Sequence, residues 1–70
     1  MKFDLTDHVK EKLQRRKILN EELMDALHFP GKITKRHGKY FFQKDIGRGK
    51  IEACCEKTTK RLKVLTVYWV

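Results

Sequence analysis

No run of this chain is long and apolar enough to span a bilayer. The longest nearly apolar stretch, Val64 to Val70, falls far short of the roughly 20 residues a membrane helix needs, and it reads as a strand. The opening Met1-Lys2-Phe3-Asp4-Leu5-Thr6-Asp7 lacks the apolar centre of a secretory signal, so a cytoplasmic protein with no membrane attachment is expected. Cysteine is scarce. Cys54 and Cys55 are adjacent, and neighbours on a strand point to opposite faces, so the two thiols cannot share a metal in the ordinary way. Free thiols in a reducing compartment fit that arrangement. There is no Cys-x-x-Cys, and His8, His28 and His37 are scattered, so neither a metal site nor a cofactor is expected. No linker, repeat or low-complexity segment divides the chain, and residues 1–70 read as one domain. Carboxylates are also in short supply: 9 Asp and Glu stand against 17 Lys and Arg, a net charge of +8 spread along the chain. Such an excess attracts phosphate backbones and acidic proteins. A domain this small buries only about 60% of its unfolded surface, which leaves room for a homodimer or a partner chain.

The first half carries helical signals. Thr6 or Asp7 can cap a helix in which Val9 and Leu13, four residues apart, form one apolar stripe, giving a helix from Thr6 to Arg16. Asn20 is a second cap candidate, followed by Glu21 and Glu22 in a first turn and by Leu23, Met24 and Leu27 as the buried side of a helix ending at His28. Phe29-Pro30-Gly31 stops it. The period then changes to two. Ile33 to Arg36, Tyr40 to Ile46, Lys50 to Lys57 and Leu62 to Val70 are rich in β-branched and aromatic residues, with turn residues between them. The chain is therefore expected to be α+β, an N-terminal helix hairpin packed on one face of a three- to four-stranded antiparallel sheet.

The preferred register sets Tyr40, Phe42, Ile46, Ile51, Ala53, Cys55, Leu62, Val64, Thr66 and Tyr68 under the helices, with Asp45 beside Lys50 and Glu56 beside Lys63 on the open side. Phe41 and Trp69 then fall on the open face. The last strand is apolar on both faces and should be central, with Lys2 to Leu5 adding along its free edge.

A family resemblance rests on the order and spacing of several short segments. Thr6-Asp7-His8-Val9 opens the first helix, Arg15-Arg16-Lys17-Ile18 closes it, Asn20-Glu21-Glu22 opens the second, Phe29-Pro30-Gly31-Lys32-Ile33 follows, and Val64 to Trp69 ends the chain. Together they resemble domain-of-unknown-function family 4258, which looks like a branch of the RelE/ParE-like toxin superfamily. The chain departs from that pattern at Lys17, where the family often has Gly, and at Val9, where it often has a small Ala. The resemblance implies a RelE-like fold and a toxin-type domain acting on RNA or the ribosome, held by an acidic antitoxin protein.

Metal-free RNA cleavage needs a base, an acid and cations around a crowded phosphate. The candidate catalytic residues are His8, Arg48, Lys50 and Tyr68. His8 is the residue on which the resemblance to the family's opening motif rests most, Arg48 lies between two glycines at a hairpin tip, and the resemblance implies that Tyr68 could donate a proton, as C-terminal aromatic residues of the superfamily sometimes do. Arg48, Lys50, Arg61, Lys63 and Lys39 are the candidate nucleic-acid contacts, the first four as a cationic strip across the ends of two hairpins. Glu52 is the strand carboxylate placed to act as a base. Each has a plainer alternative: a solvated turn charge at Arg48, a helix cap at His8, a core tyrosine at Tyr68 and a salt-bridge partner at Glu52. Three functions stay open: a metal-independent mRNA ribonuclease, a non-catalytic module binding nucleic acid or protein, and a gyrase-type poison.

Overall fold

The computed structural model describes residues 2–70. The elements run β1 (Lys2–Leu5), α1 (Asp7–Arg15), α2 (Asn20–His28), β2 (Lys32–Arg36), β3 (Lys39–Asp45), β4 (Lys50–Lys57) and β5 (Arg61–Trp69). They form one five-stranded sheet in the order β1-β5-β4-β3-β2. The α+β class stands, but the sheet is mixed and larger than the antiparallel one expected. β1 lies parallel to β5, with Phe3 opposite Leu62 and Leu5 opposite Val64, while the other neighbours are antiparallel. A parallel pair needs a long connection, and here it runs through both helices and then β2, β3 and β4. α1 packs over β5 and α2 over β4 and β3, so both cover the same face. β5 is central, between β1 and β4.

α1 starts where the sequence places it. The Thr6 hydroxyl accepts from the Val9 N–H at 3.1 Å and donates to the Val64 carbonyl at 3.0 Å, so one cap also ties the helix to β5. α2 is capped differently from expectation: Leu19, not Asn20, is the cap residue, and the Glu22 carboxylate accepts from the Leu19 N–H at 2.9 Å. The turn between the helices is a Schellman closure. Ile18 N–H reaches Leu13 O at 2.9 Å and Lys17 N–H reaches Gln14 O at 3.2 Å, with Lys17 at φ 56° and with Leu13 and Ile18 buried together. Glycine takes that left-handed position without penalty, whereas Lys17 carries its Cβ into it. Lys17→Gly should raise stability by about 1 kcal/mol in urea denaturation, the relief of αL strain exceeding the added chain entropy.

Val9, Leu13, Ile18, Leu23, Ala26 and Leu27 from the helices meet Phe42, Ile51, Ala53, Cys55, Leu62, Val64 and Val67 from the sheet in one core, flanked by Phe3 and Leu5. The expected face assignment fails near the end of β5. The β4–β5 register slips between Cys54 and Cys55, which face Thr66 and Val64, so Leu65 has no partner. This bulge reverses the faces beyond it. Val67 and Trp69 turn to the helix side, opposite Ala53 and Ile51, whereas Thr66 and Tyr68 turn to the open side, opposite Cys54 and Glu52. Strict alternation through β5 sets Thr66 and Tyr68 in the core and Trp69 outside, and one extra residue overturns all three.

Candidate functional site

Ladder pairing carries the open face outward from Tyr68. Lys32, Gln43, Glu52 and Tyr68 form one cross-strand row, and Thr34, Phe41, Cys54 and Thr66 form the next. A third row runs Arg36, Lys39, Glu56, Lys63 and Asp4 across all five strands. No helix lies over these rows.

In the first row the Tyr68 hydroxyl donates to Glu52 Oε2. Burial, and then that bond, push the Tyr68 hydroxyl up to about 12, so at neutral pH it holds its proton firmly. Beside it Cys54 is only 8% exposed despite lying on the uncovered face, and desolvation raises its pKa, as it raises that of Cys55 to about 12. Neither thiol is poised as a nucleophile. The Arg36 guanidinium lies 4.2 Å from the centroid of Phe41, which holds a cation over an aromatic surface at the edge of the Tyr68 and Glu52 pair. The face thus offers an acid held protonated, a carboxylate, an aromatic platform and a basic row.

The other candidate residues are placed differently. Arg48 does not face this surface. Its guanidinium turns toward the helices, donating to Glu22 at 2.6 and 2.9 Å and to the Lys17 carbonyl at 2.7 Å, and it lies 4.9 Å from the Trp69 ring centroid. The positive φ of Gly47 and Gly49 bends the tip that way, and a Cβ on Gly49 would sit 2.9 Å from Trp69. Trp69 Nε1 in turn donates to the Arg16 carbonyl at 2.8 Å, and Arg16 donates to the Val67 carbonyl at 2.7 Å. Arg48 is therefore part of a structural corner that joins the helix turn to the end of β5.

The expected cationic strip does not form, because Lys50 opens β4 opposite Asp45 while Arg61 opens the antiparallel β5 at the other end of the ladder. Arg61 is bound to Asp4 at 2.9 Å. Lys63 and Lys39 do share the basic row, and His8 is exposed on α1, across the sheet from Tyr68.

Arg36 was missed from the sequence, although a signal existed. His37 and Gly38 both have positive φ, at 52° and 76°, as a two-residue hairpin turn requires, and that turn sets Arg36 directly opposite Lys39. Glu56 faces Lys63, and Asp45 faces Lys50, as expected.

The corner has a pH signature. Hydrogen bonding to Arg48, and then to the Leu19 N–H, holds the Glu22 carboxyl below its ordinary 4.5. A depressed carboxylate pKa stabilises the fold above the unfolded value, and that stability is lost as pH falls through the folded value. Stability should therefore decline below about pH 4.5, more steeply in the parent than in Glu22→Gln, as followed by thermal melts across that range.

The chain belongs to the family described as Domain of unknown function (DUF4258), whose model matches its residues 5–69. It matches no curated protein and no solved structure. Among the described residues no helix is long and apolar enough to cross a membrane, and no cluster of three or more His, Cys, Asp or Glu could hold a metal ion.

Proposed function

We propose that this is a RelE-like toxin-type domain, working in the cytoplasm, that binds single-stranded RNA on the open face of its sheet and cleaves it without a metal. The observation that carries the reading is the direct hydrogen bond between Tyr68 and Glu52 on the uncovered face, with Phe41 in the next row and Arg36, Lys39 and Lys63 in the row beyond it. Glu52 takes the proton of a ribose 2′-hydroxyl as that oxygen attacks the neighbouring phosphorus. The bond from phosphorus to the 5′-oxygen breaks, and Tyr68 gives its proton to the departing oxygen. A phenol with a pKa near 12 keeps its proton in the resting state and gives it up to the far more basic alkoxide. The products are a 2′,3′-cyclic phosphate and a 5′-hydroxyl. The proton gained by Glu52 returns to Tyr68 along their hydrogen bond, which restores the pair. Arg36, Lys39 and Lys63 bind the backbone, and Phe41 stacks a base.

One observation favours a binding module without turnover: the Tyr68 and Glu52 hydrogen bond satisfies both groups with each other. RNA affinity tests what the two readings share. Removing one phosphate-binding cation should reduce the slope of log affinity against log salt by about 0.7, so replacing Arg36, Lys39 and Lys63 with Ala should lower it by roughly 2. Replacing Arg48, which turns toward the helices, should leave the slope unchanged. The opposite pattern would move the RNA to the other side of the molecule.

A further inference from the structure

The outer edge of β2 borders the open face and shares Arg36 with it. β2 is the last strand of the sheet, so one row of its backbone N–H and C=O groups has no strand partner among the described residues. Beside it Ile33 is 52% exposed and Phe29, just before the strand, is 69% exposed. Ile33 borders a cavity of about 190 Å³ on the helix side, lined also by Tyr40, Phe42, Lys57 and Leu62. Cations flank the edge on both faces, and aromatic rings hold them there. Lys35 lies 5.5 Å from the Tyr40 centroid on the helix side, and Arg36 lies 4.2 Å from Phe41 on the open side.

We infer that this edge takes an extended acidic peptide segment as a sixth strand. The segment would carry one apolar residue beside Ile33 and acidic residues beside Lys32, Lys35 and Arg36. Backbone hydrogen bonds supply affinity in such strand addition, and side chains in alternation supply specificity. Charge selects the occupant. A second copy of this chain pairing antiparallel through β2 would bring Lys32, Lys35 and Arg36 of the two protomers together, and like charges across a ladder are destabilising. An acidic strand turns each of those repulsions into an attraction. The opposite edge lacks these features: β1 has only 4 residues, Phe3 and Leu5 are half-buried, and Asp4 is already paired with Arg61. The inference does not depend on RNA cleavage.

The test uses the full chain and a labelled synthetic peptide, Glu-Glu-Thr-Ile-Glu-Glu, with amide chemical shifts and hydrogen exchange as readouts. Binding should shift and protect amides of β2 and leave those of α1 unmoved. A Lys35→Glu and Arg36→Glu double variant should bind about tenfold more weakly, and the matching lysine peptide should bind that variant better than the parent. Equal binding of an acidic peptide lacking the isoleucine would overturn the inference. Protection of the outward-pointing amides of β2 by self-association, or by an RNA oligomer in place of the peptide, would overturn it as well. Comparing the double variant's circular dichroism with the parent's ensures that weaker binding does not come from unfolding.

Discussion

Leu27→Ala should cost about 2 to 4 kcal/mol, measured as a shift in the urea midpoint, whereas Leu19→Ala should cost less than about 0.5 kcal/mol. Both are leucines at the ends of α2, and only their surroundings differ. Leu27 is 3% exposed in the cluster formed with Leu23, Phe42 and Ile51, while Leu19 is 57% exposed at the helix cap. Removing the Leu27 side chain forfeits its transfer energy and leaves a cavity that a two-layer domain cannot close, because α2 is fixed at both ends by its cap and by Pro30. A chain of this length has only about 4 to 10 kcal/mol in total. The variant should therefore show a visible unfolded fraction on warming, and equal costs for the two substitutions would mean that α2 presents a different side to the sheet.

The second large effect concerns Glu52 and Tyr68. If they are base and acid of one reaction, Glu52→Gln and Tyr68→Phe should each lower RNA cleavage by about 10²- to 10⁴-fold while changing affinity by less than about threefold. The double variant should be little worse than either single one, since residues acting as a unit are not additive. His8→Ala should cleave normally, because His8 is exposed on α1, away from the uncovered face. A separate readout tests the pair without substrate. Glu52→Gln removes the negative charge and weakens the hydrogen bond that hold the Tyr68 proton, so the tyrosine that titrates near pH 12 in the parent should titrate lower in the variant.

Much of this fold was legible before the structure. The stripe of Val9 and Leu13, the carboxylates before Leu23 and the stop at Phe29-Pro30-Gly31 each act within a turn or two of chain, and the helices appear where those signals fall. The central place of β5 followed from its being apolar on both faces, and the pairing of Asp45 with Lys50 and Glu56 with Lys63 followed from hairpin spacing. What could not be read was the bulge at Leu65. Alternation assumes that every residue has a partner, and nothing in Leu62 to Trp69 announces the one that does not. That single residue moves Tyr68 from the expected core to the open face beside Glu52, and Trp69 from the open face to the corner with Arg48 and Gly49. Arg48 was misplaced for a related reason. Its flanking glycines advertised a free tip, but the partner that captures it, Glu22, lies 26 residues away on α2.

Reaction of RNA at Glu52 and Tyr68 on the uncovered sheet is the central claim. Its most direct test is to incubate the protein with a single-stranded RNA, and separately with translating ribosomes, in excess chelator, and to count new 5′-hydroxyl ends. Such ends should accumulate with the parent chain, persist in Arg48→Lys and His8→Ala, and disappear in Tyr68→Phe. No new ends in either mixture, or ends that form undiminished in Tyr68→Phe, would contradict the claim.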